Sequence, residues 1–329
     1  MIMEENPKLT VLVMAYKRKE FIKEALKSVL NQTIPRGQYE VICVIGFKDK
    51  GFSSFLVQND IMEIFCDGKL GERLVAGLMR SRGDVIVFLD DDDMFQKDKL
   101  QKVINVFQQS GCVYYHNNVS LIDHNSRNIL LSIDPYHKQI GDTILWNPLH
   151  GYRGIIRHRG DFNMSSIAVL KEVICRYNDV LLNIDASPDT ILFFLLMQTD
   201  KPFFFDAEGL TLYRIHDSET NMATNSEQIK KVSSRYYYSR LTCYQGISKI
   251  KVKKLFIGCL LESKFGAYIA GVKDLKPTFF ETLRFLYNGL TRPSAFYLRL
   301  LVAAAIYSRF PKYIEKIRNG LTQISHKMS

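Results

Sequence analysis

Four adjacent carboxylates, Asp90, Asp91, Asp92 and Asp93, follow directly on the apolar run DVIVFL. Set side by side, four acids repel one another and raise each other's pKa. A hard divalent cation, Mn2+ or Mg2+, relieves that repulsion. Such a cation bridges to a diphosphate and neutralises the charge that develops as the diphosphate departs. An acidic surface turn is the plain alternative, but so apolar a strand ending in four acids argues against it. A further acid, Asp189, stands in SPDTILFFLLM, where Ser187, Pro188 and Asp189 spell a helix start. It serves there either as a general base or only as a complement to the helix dipole. Asp185 is the reserve candidate. In YRIH, Arg214 offers a guanidinium suited to phosphate, and His216 is either a metal ligand or a structural histidine.

The elements that must position these groups follow from hydrophobic spacing. Thr10–Ala15, Tyr39–Ile45, Met62–Cys66 and Asp84–Leu89 read as strands, and Glu20–Leu30 and Lys69–Ser81 as amphipathic helices between them. This alternation predicts parallel strands joined by crossover helices, with ligands at the carboxyl ends of the strands. A helix follows through Leu100–Phe107, then a strand at Cys112–His116. A hairpin is expected from Leu121 and Ile122 to Ile129–Ile133 around the turn DHNSRN. A helix runs to Met197, and short strands are expected near Phe203–Asp206 and Leu210–Tyr213. Residues 134–164 are loop-rich; their segment GYRGIIRHRGD (151–161) either lines an acceptor site for an anionic acceptor or is a surface loop.

These segments resemble the family 2 inverting glycosyltransferases of GT-A fold. The resemblance rests on LTVLVMAYKRKEFIKEALKSVLNQT (9–33), RGDVIVFLDDDDMFQKDKL (82–100) and PDTILFFLLMQTDKPFFFDAEGLTLYRIH (188–216), and covers roughly residues 9–220. It implies a Rossmann-like three-layer sandwich with a mostly parallel sheet, a nucleotide-diphosphate sugar donor, and a bound Mn2+ or Mg2+. By resemblance Asp90 and Asp92 belong to the DxD motif, with Asp92 as the main metal ligand and His216 approaching the metal or diphosphate. Asp90 and Asp91 face the ribose and diphosphate, and Asp93 lies outside the metal's first shell. Tyr16 lies against the base, unless it only packs at the helix entry; Met14 and Ala15 offer backbone contacts. Lys69 holds the nucleotide or is a solvated lysine. Asp189 becomes the catalytic base, and Arg214 meets phosphate. Where the family usually has paired acids at the end of the second strand, this chain has Val44-Ile45-Gly46-Phe47, with Asp49 later in the loop. That departure leaves the nucleotide base unassigned. Lys17 replaces the usual Asn, and Pro188 the Glu of a Glu-Asp pair.

The chain has 329 residues with a net charge of +10, unevenly placed. Residues 221–329 carry 19 Lys and Arg against 5 Asp and Glu, about +14, leaving about −4 on the rest. The expected organisation is a catalytic domain over 1–220, with a nucleotide-sugar half at about 9–95 and an acceptor-side half at about 96–220, followed by a basic helical region over 221–329. Phe296–Tyr307 and KLFIGCLLESKFGAYIAGV (254–272) either lie on a bilayer surface or pack as a helical bundle. No apolar run of transmembrane length and no secretory signal is seen. Six widely spaced cysteines read as reduced core residues, without a zinc site. A cytoplasmic protein is expected, peripheral on the membrane, using a glycan or lipid-linked acceptor. Without a recognised module, no nucleic-acid partner is expected. Two rivals stay open: a metal-dependent phosphatase or phosphotransferase, and a non-catalytic nucleotide-sugar-binding scaffold.

Overall fold

The computed structural model describes residues 8–16, 18–129, 142–148, 160–215 and 226–291, the last four of these by backbone alone. The chain divides into two compact units, Met1–His216 and Asp217–Ser329. His216, residues 151–159 of the Gly/Arg/His segment, the hairpin's return strand from 130 onward and the Phe296–Tyr307 stretch lie outside the described residues.

The first unit opens with β1 (Leu9–Ala15), α1 (Ile22–Leu30), β2 (Tyr39–Ile45), α2 (Lys50–Gln58), β3 (Met62–Phe65), α3 (Leu70–Arg80) and β4 (Val85–Asp90). The strands β3-β2-β1-β4 run parallel. Their apolar sequences follow from coverage on both faces: β2 is buried throughout, and β4 up to Leu89. Helix α2 was not expected. Its sequence KGFSSFLVQ buries only Phe52 and Leu56 and reads as a loop, but Asp49 caps it by accepting from the Phe52 N–H at 3.0 Å.

Beyond β4 the sheet becomes mixed. A two-residue strand β5 (Met94–Phe95), helix α4 (Lys99–Ser110), β6 (Tyr114–Ile122), β7 (Ile144–Trp146) and β8 (Ile167–Leu170) follow. The short helices α5 (Lys171–Ile174) and α6 (Asn178–Leu181), helix α7 (Pro188–Leu196) and strand β9 (Phe203–Arg214) complete the unit. The strand order is β3-β2-β1-β4-β8-β6-β9-β5, with β7 also on β9. The two strands expected near 203–206 and 210–213 are one. Ala207 and Glu208 bulge out, so that Asn117 faces Asp206 and Asn118 faces Gly209, and pairing resumes. A Cβ at Gly209 would lie 2.7 Å from Ser120 Oγ, which is why the bulge ends on glycine. The turn after β6 closes as expected, with Ile129 N–H donating to Leu121 O at 2.9 Å.

Glu40 fastens the opening half from within. Its buried carboxylate accepts from Thr10 Oγ1 at 2.7 Å, from Arg82 Nε at 2.9 Å, and from the Arg82 and Gly83 N–H groups. It thereby ties β1, β2 and the entry to β4 together.

The second unit is helical over its described residues: α8 (Ser226–Gly246), α9 (Ile250–Ile269) and α10 (Phe279–Thr291). Helices α8 and α9 share a core of Tyr237, Leu260 and Ala267, and α10 is held by Phe285 stacked on Phe265 at 4.3 Å. Among the described residues no helix is long and apolar enough to cross a membrane.

Candidate active site

The acid cluster sits at the carboxyl end of the central strand β4. Only Asp91, Asp92 and Asp93 separate β4 from β5, and β5 is itself hydrogen-bonded to β9 through Met94 opposite Leu212 and Phe95 opposite Thr211. Asp90 donates its N–H to Ser165 Oγ at 3.0 Å. Burial, then Asp92, Asp93, Asp91 and Asp189, push the Asp90 carboxyl well above its ordinary range. Asp93 is only 2% exposed. Burial and the adjacent Asp92 push it up to about 7, against hydrogen bonds from the Arg214 N–H and the side chains of Ser165 and Asn163.

Three cations lie around the acid loop, in ways the sequence did not reveal. Arg18, in the loop after β1, places Nη2 2.8 Å from Asp91 Oδ1 and 2.7 Å from Asp92 Oδ2. Lys99 is fully buried and donates to Ser165 O and, at 2.8 Å, to Thr211 Oγ1. Burial depresses its pKa well below the usual lysine value, against the pull of Asp93. Arg214 corrects an expectation. Its side chain is wholly buried, with Nε on Asp92 O at 2.8 Å and Nη1 on Asp123 O, His124 O and Ser126 Oγ. Nη2 bonds Glu24 at 3.0 Å, and the guanidinium lies over Phe21. With these donors engaged, Arg214 pins the acid loop from behind and does not face a phosphate.

Asp189 does join the cluster. It accepts from Asn163 N–H at 3.1 Å and from Thr190 N–H at 2.8 Å, which fixes the orientation of its carboxylate. Ser187 does not cap α7 through its side chain as expected. It is left-handed at φ 57°, and Pro188 starts the helix. Tyr213 borders the same space: burial and then Asp93, Asp92, Asp90 and Asp189 hold its phenol protonated to higher pH than usual. Asp185 is placed elsewhere, accepting from Leu70 N–H at 3.4 Å at the start of α3.

Tyr16 stands at the end of β1, where Arg73 lies 4.2 Å over its ring. The ring edge also comes close to Gly46: a Cβ there would meet Tyr16 Cδ2 at 2.6 Å and Tyr16 O at 3.0 Å. Met14 lies in register between Val44 and Asp90, and the Ala15 carbonyl accepts from Gly46 N–H at 2.9 Å. Lys69 is exposed just before α3, its N–H bonded to Glu72 Oε2 at 3.3 Å. Asp49 is occupied, capping α2 and bonded to Lys19 at 2.9 Å.

Residues 10–157 match the family described as Glycosyl transferase family 2. The chain carries a family 2 glycosyltransferase domain. A glycosyltransferase of Haemophilus influenzae whose own role is uncharacterised is 24% identical over 237 residues, 68% of this chain and 74% of that relative. Among solved structures, S. aureus TarS 1-349 in complex with UDP-GlcNAc superposes with a TM-score of 0.55 at 12% identity, covering 92% of each chain. Mannosyltransferase PcManGT from Pyrobaculum calidifontis, in complex with GDP-Man and Mn2+, gives 0.55 at 13% identity, covering 94% of this chain and 88% of that one. These likenesses establish the GT-A fold of the glycosyltransferase.

The glycosyltransferase's donor groups fit a divalent ion of a particular kind. Asp90 and Asp92 offer hard carboxylate oxygens, and burial first, then the neighbouring acids, raise the Asp90 carboxyl. Among the described residues no three His, Cys, Asp or Glu side chains converge as a ligand cage. Mg2+ and Mn2+ suit such a site, taking one or two carboxylates and completing their shell with water and substrate phosphate oxygens.

Proposed function

We propose that this glycosyltransferase moves a hexosyl unit from a nucleotide-diphosphate sugar to a hydroxyl of a glycan or lipid-linked acceptor, with inversion at the anomeric carbon. The reaction is assisted by Mn2+ or Mg2+ and belongs to the synthesis of a polysaccharide or of the glycan of a glycolipid or glycoprotein. The observation that carries this reading is the convergence of Asp189 on the acid tip: Asp189 accepts from the Asn163 N–H at 3.1 Å, and two residues further on Ser165 Oγ accepts from the Asp90 N–H at 3.0 Å.

In this reading Asp90 and Asp92 hold the cation, with His216 following β9 as a third candidate ligand. The cation, when bound, neutralises the departing diphosphate. Asp91 faces the ribose and diphosphate. Tyr16, with the Met14 and Ala15 backbone and Lys69, receives the nucleotide. Asp189, held by two N–H groups, takes the proton from the acceptor hydroxyl as that oxygen attacks the anomeric carbon opposite the leaving group. Neighbours of the same fold hold UDP-GlcNAc in one case and GDP-Man with Mn2+ in the other, which supports a nucleotide-diphosphate sugar as donor. Residues 1–220 carry the transfer, and 221–329 bring it to the cytoplasmic membrane face.

The test is a thermal-shift and hydrolysis screen of uridine and guanosine diphosphate sugars with and without Mn2+. The wild type should respond to one donor class, and Asp92→Ala should lose the Mn2+-dependent part. Asp189→Asn should keep the donor response and lose transfer by about 10²- to 10⁴-fold. Phosphate release from a phosphoester without any nucleotide-sugar response, or full transfer by Asp189→Asn, would overturn the reading.

A further inference from the structure

The short turn before β8 touches Asp189 and the acid tip at once. Strand β8 runs antiparallel to β4 with Ala168 opposite Val87, so continuing that ladder past the paired residues brings Ser165 level with Asp90. Ser165 Oγ takes the Asp90 N–H there at 3.0 Å. The Ser165 carbonyl serves the other end of the acid loop. It accepts from Lys99 Nζ and, at 3.1 Å, from Thr211 Oγ1, and Thr211 lies opposite Phe95 of β5. Ser165 is wholly buried, so these groups have no water to fall back on. Two residues earlier, Asn163 N–H donates to Asp189 Oδ2 at 3.1 Å, and Thr190 Oγ1 holds Asp161 O at 3.3 Å. The chain therefore runs along the start of α7 and then along the end of β4 without a break.

Asn163 shapes this passage. It is 6% exposed and has a φ of 59°, in the left-handed region that asparagine enters more readily than most residues bearing a Cβ. Its Oδ1 accepts from Ser165 N–H at 2.9 Å and its carbonyl from Ser166 N–H at 3.1 Å, which closes the helical turn Met164–Ser166. One side chain thus fixes both the direction of its own N–H and the place of Ser165.

We infer that Asn163 is a positioning residue, the link that keeps the Asp189 carboxylate in register with the Asp90 end of the acid tip. The inference rests on the proposed role of Asp189 as the base. The Thr190 N–H orients Asp189 only within its own helix, whereas the Asn163 N–H refers it to the sheet. That reference matters because the base must reach the acceptor hydroxyl while the acceptor oxygen approaches a sugar whose diphosphate is held at the tip. A displacement of about 1 Å between the two carboxylates is enough to cost roughly 10²-fold in rate.

The full chain is assayed for release of nucleoside diphosphate from a uridine or a guanosine diphosphate sugar with Mn2+, with water in place of the acceptor hydroxyl. Asn163→Ala removes the Oδ1 cap and disfavours a positive φ. Its kcat should fall about 10- to 100-fold while the donor KM stays within about twofold. Asn163→Gly loses the cap but tolerates the left-handed backbone, and should recover part of that loss. In an Asp189→Asn background, Asn163→Ala should cost less than about twofold more, because a residue acting through Asp189 has nothing left to position. Wild-type kcat in Asn163→Ala, a loss confined to KM, or a full second loss in the double variant would overturn the inference. Should Asn163→Ala fail to show a cooperative urea transition, the same cycle with Asn163→Gly decides. Full activity in Asp189→Asn alone would remove the base assignment, and this inference with it. Loss in Asp189→Asn together with an independent effect of Asn163→Ala removes this inference and leaves the base assignment standing.

Discussion

One guanidinium nitrogen of Arg18 stands 2.7 Å from Oδ2 of Asp92. The same nitrogen reaches Asp91, so a side chain from the first loop compensates the acids that, in the proposed function, would hold the divalent ion. On the proposed metal assignment, Arg18 competes with the ion for these carboxylates. Arg18→Gln should bind Mn2+ about three- to tenfold more tightly in the absence of donor, a modest factor because the guanidinium is 39% exposed and partly screened by solvent. Titration of free Mn2+ by electron paramagnetic resonance measures it, and an unchanged or weaker affinity would remove Arg18 from this role.

Arg214 leads to a prediction about stability. Arg214→Lys keeps the charge but cannot serve Asp92 O, Asp123 O, His124 O and Glu24 together. The loss should be about 2–4 kcal/mol in urea unfolding, because several buried acceptors lose partners at once. An effect within about 0.5 kcal/mol would mean that the acid loop does not rely on this clamp.

Gly46 tests the proposed place of Tyr16 at the donor. Gly46→Ala forces Tyr16 aside, since the new methyl would sit 2.6 Å from its ring and 3.0 Å from its carbonyl. Donor affinity should fall roughly tenfold while the overpacked contact costs about 1–3 kcal/mol of stability. Calorimetric titration with the nucleotide sugar separates the two effects, and wild-type affinity would show that Tyr16 lies away from the donor.

Glu40 supplies a pH dependence. Burial alone would raise its carboxyl, but the hydrogen bonds from Thr10 and Arg82 hold it below its ordinary 4.5. As pH falls, the unfolded chain takes up this proton before the folded one does. The stabilisation is therefore complete above about pH 4.5 and is lost as pH falls through the folded value. Glu40→Gln should lower stability at neutral pH by about 1–3 kcal/mol and flatten the acid limb of the urea midpoint against pH. A variant whose acid limb matches the wild type would assign acid sensitivity elsewhere.

The parallel half of the sheet was legible because burial on both faces writes it as unbroken apolar runs: TVLVMA, YEVICVI and DVIVFL became β1, β2 and β4 within a residue or so. The acid tip and Asp189 were legible because their charges interrupt or begin such runs. What failed to show was pairing at a distance. Arg18 sits among Lys17, Lys19 and Lys23, so nothing local marks it as the partner of acids more than seventy residues away. Lys99 looked like any lysine entering a helix, yet it is fully buried under Asp93. Arg214 was read from its neighbours in YRIH, whereas its role is set by the turn at 123–126 and by Glu24. Helix α2 escaped because two buried residues in nine make no stripe.

Three residues between two hydrogen-bonded strands leave the acids almost no slack. In the proposed reaction the tip of β4 is therefore a fixed anvil, its electrostatics set once by the sheet rather than adjusted at each turnover. Accommodation of a larger sugar or another base then falls to the segments that arrive from elsewhere, the turn after β1 and the approach to α7. New substrates are reached by redrawing those approaches while the charge-bearing point stays put.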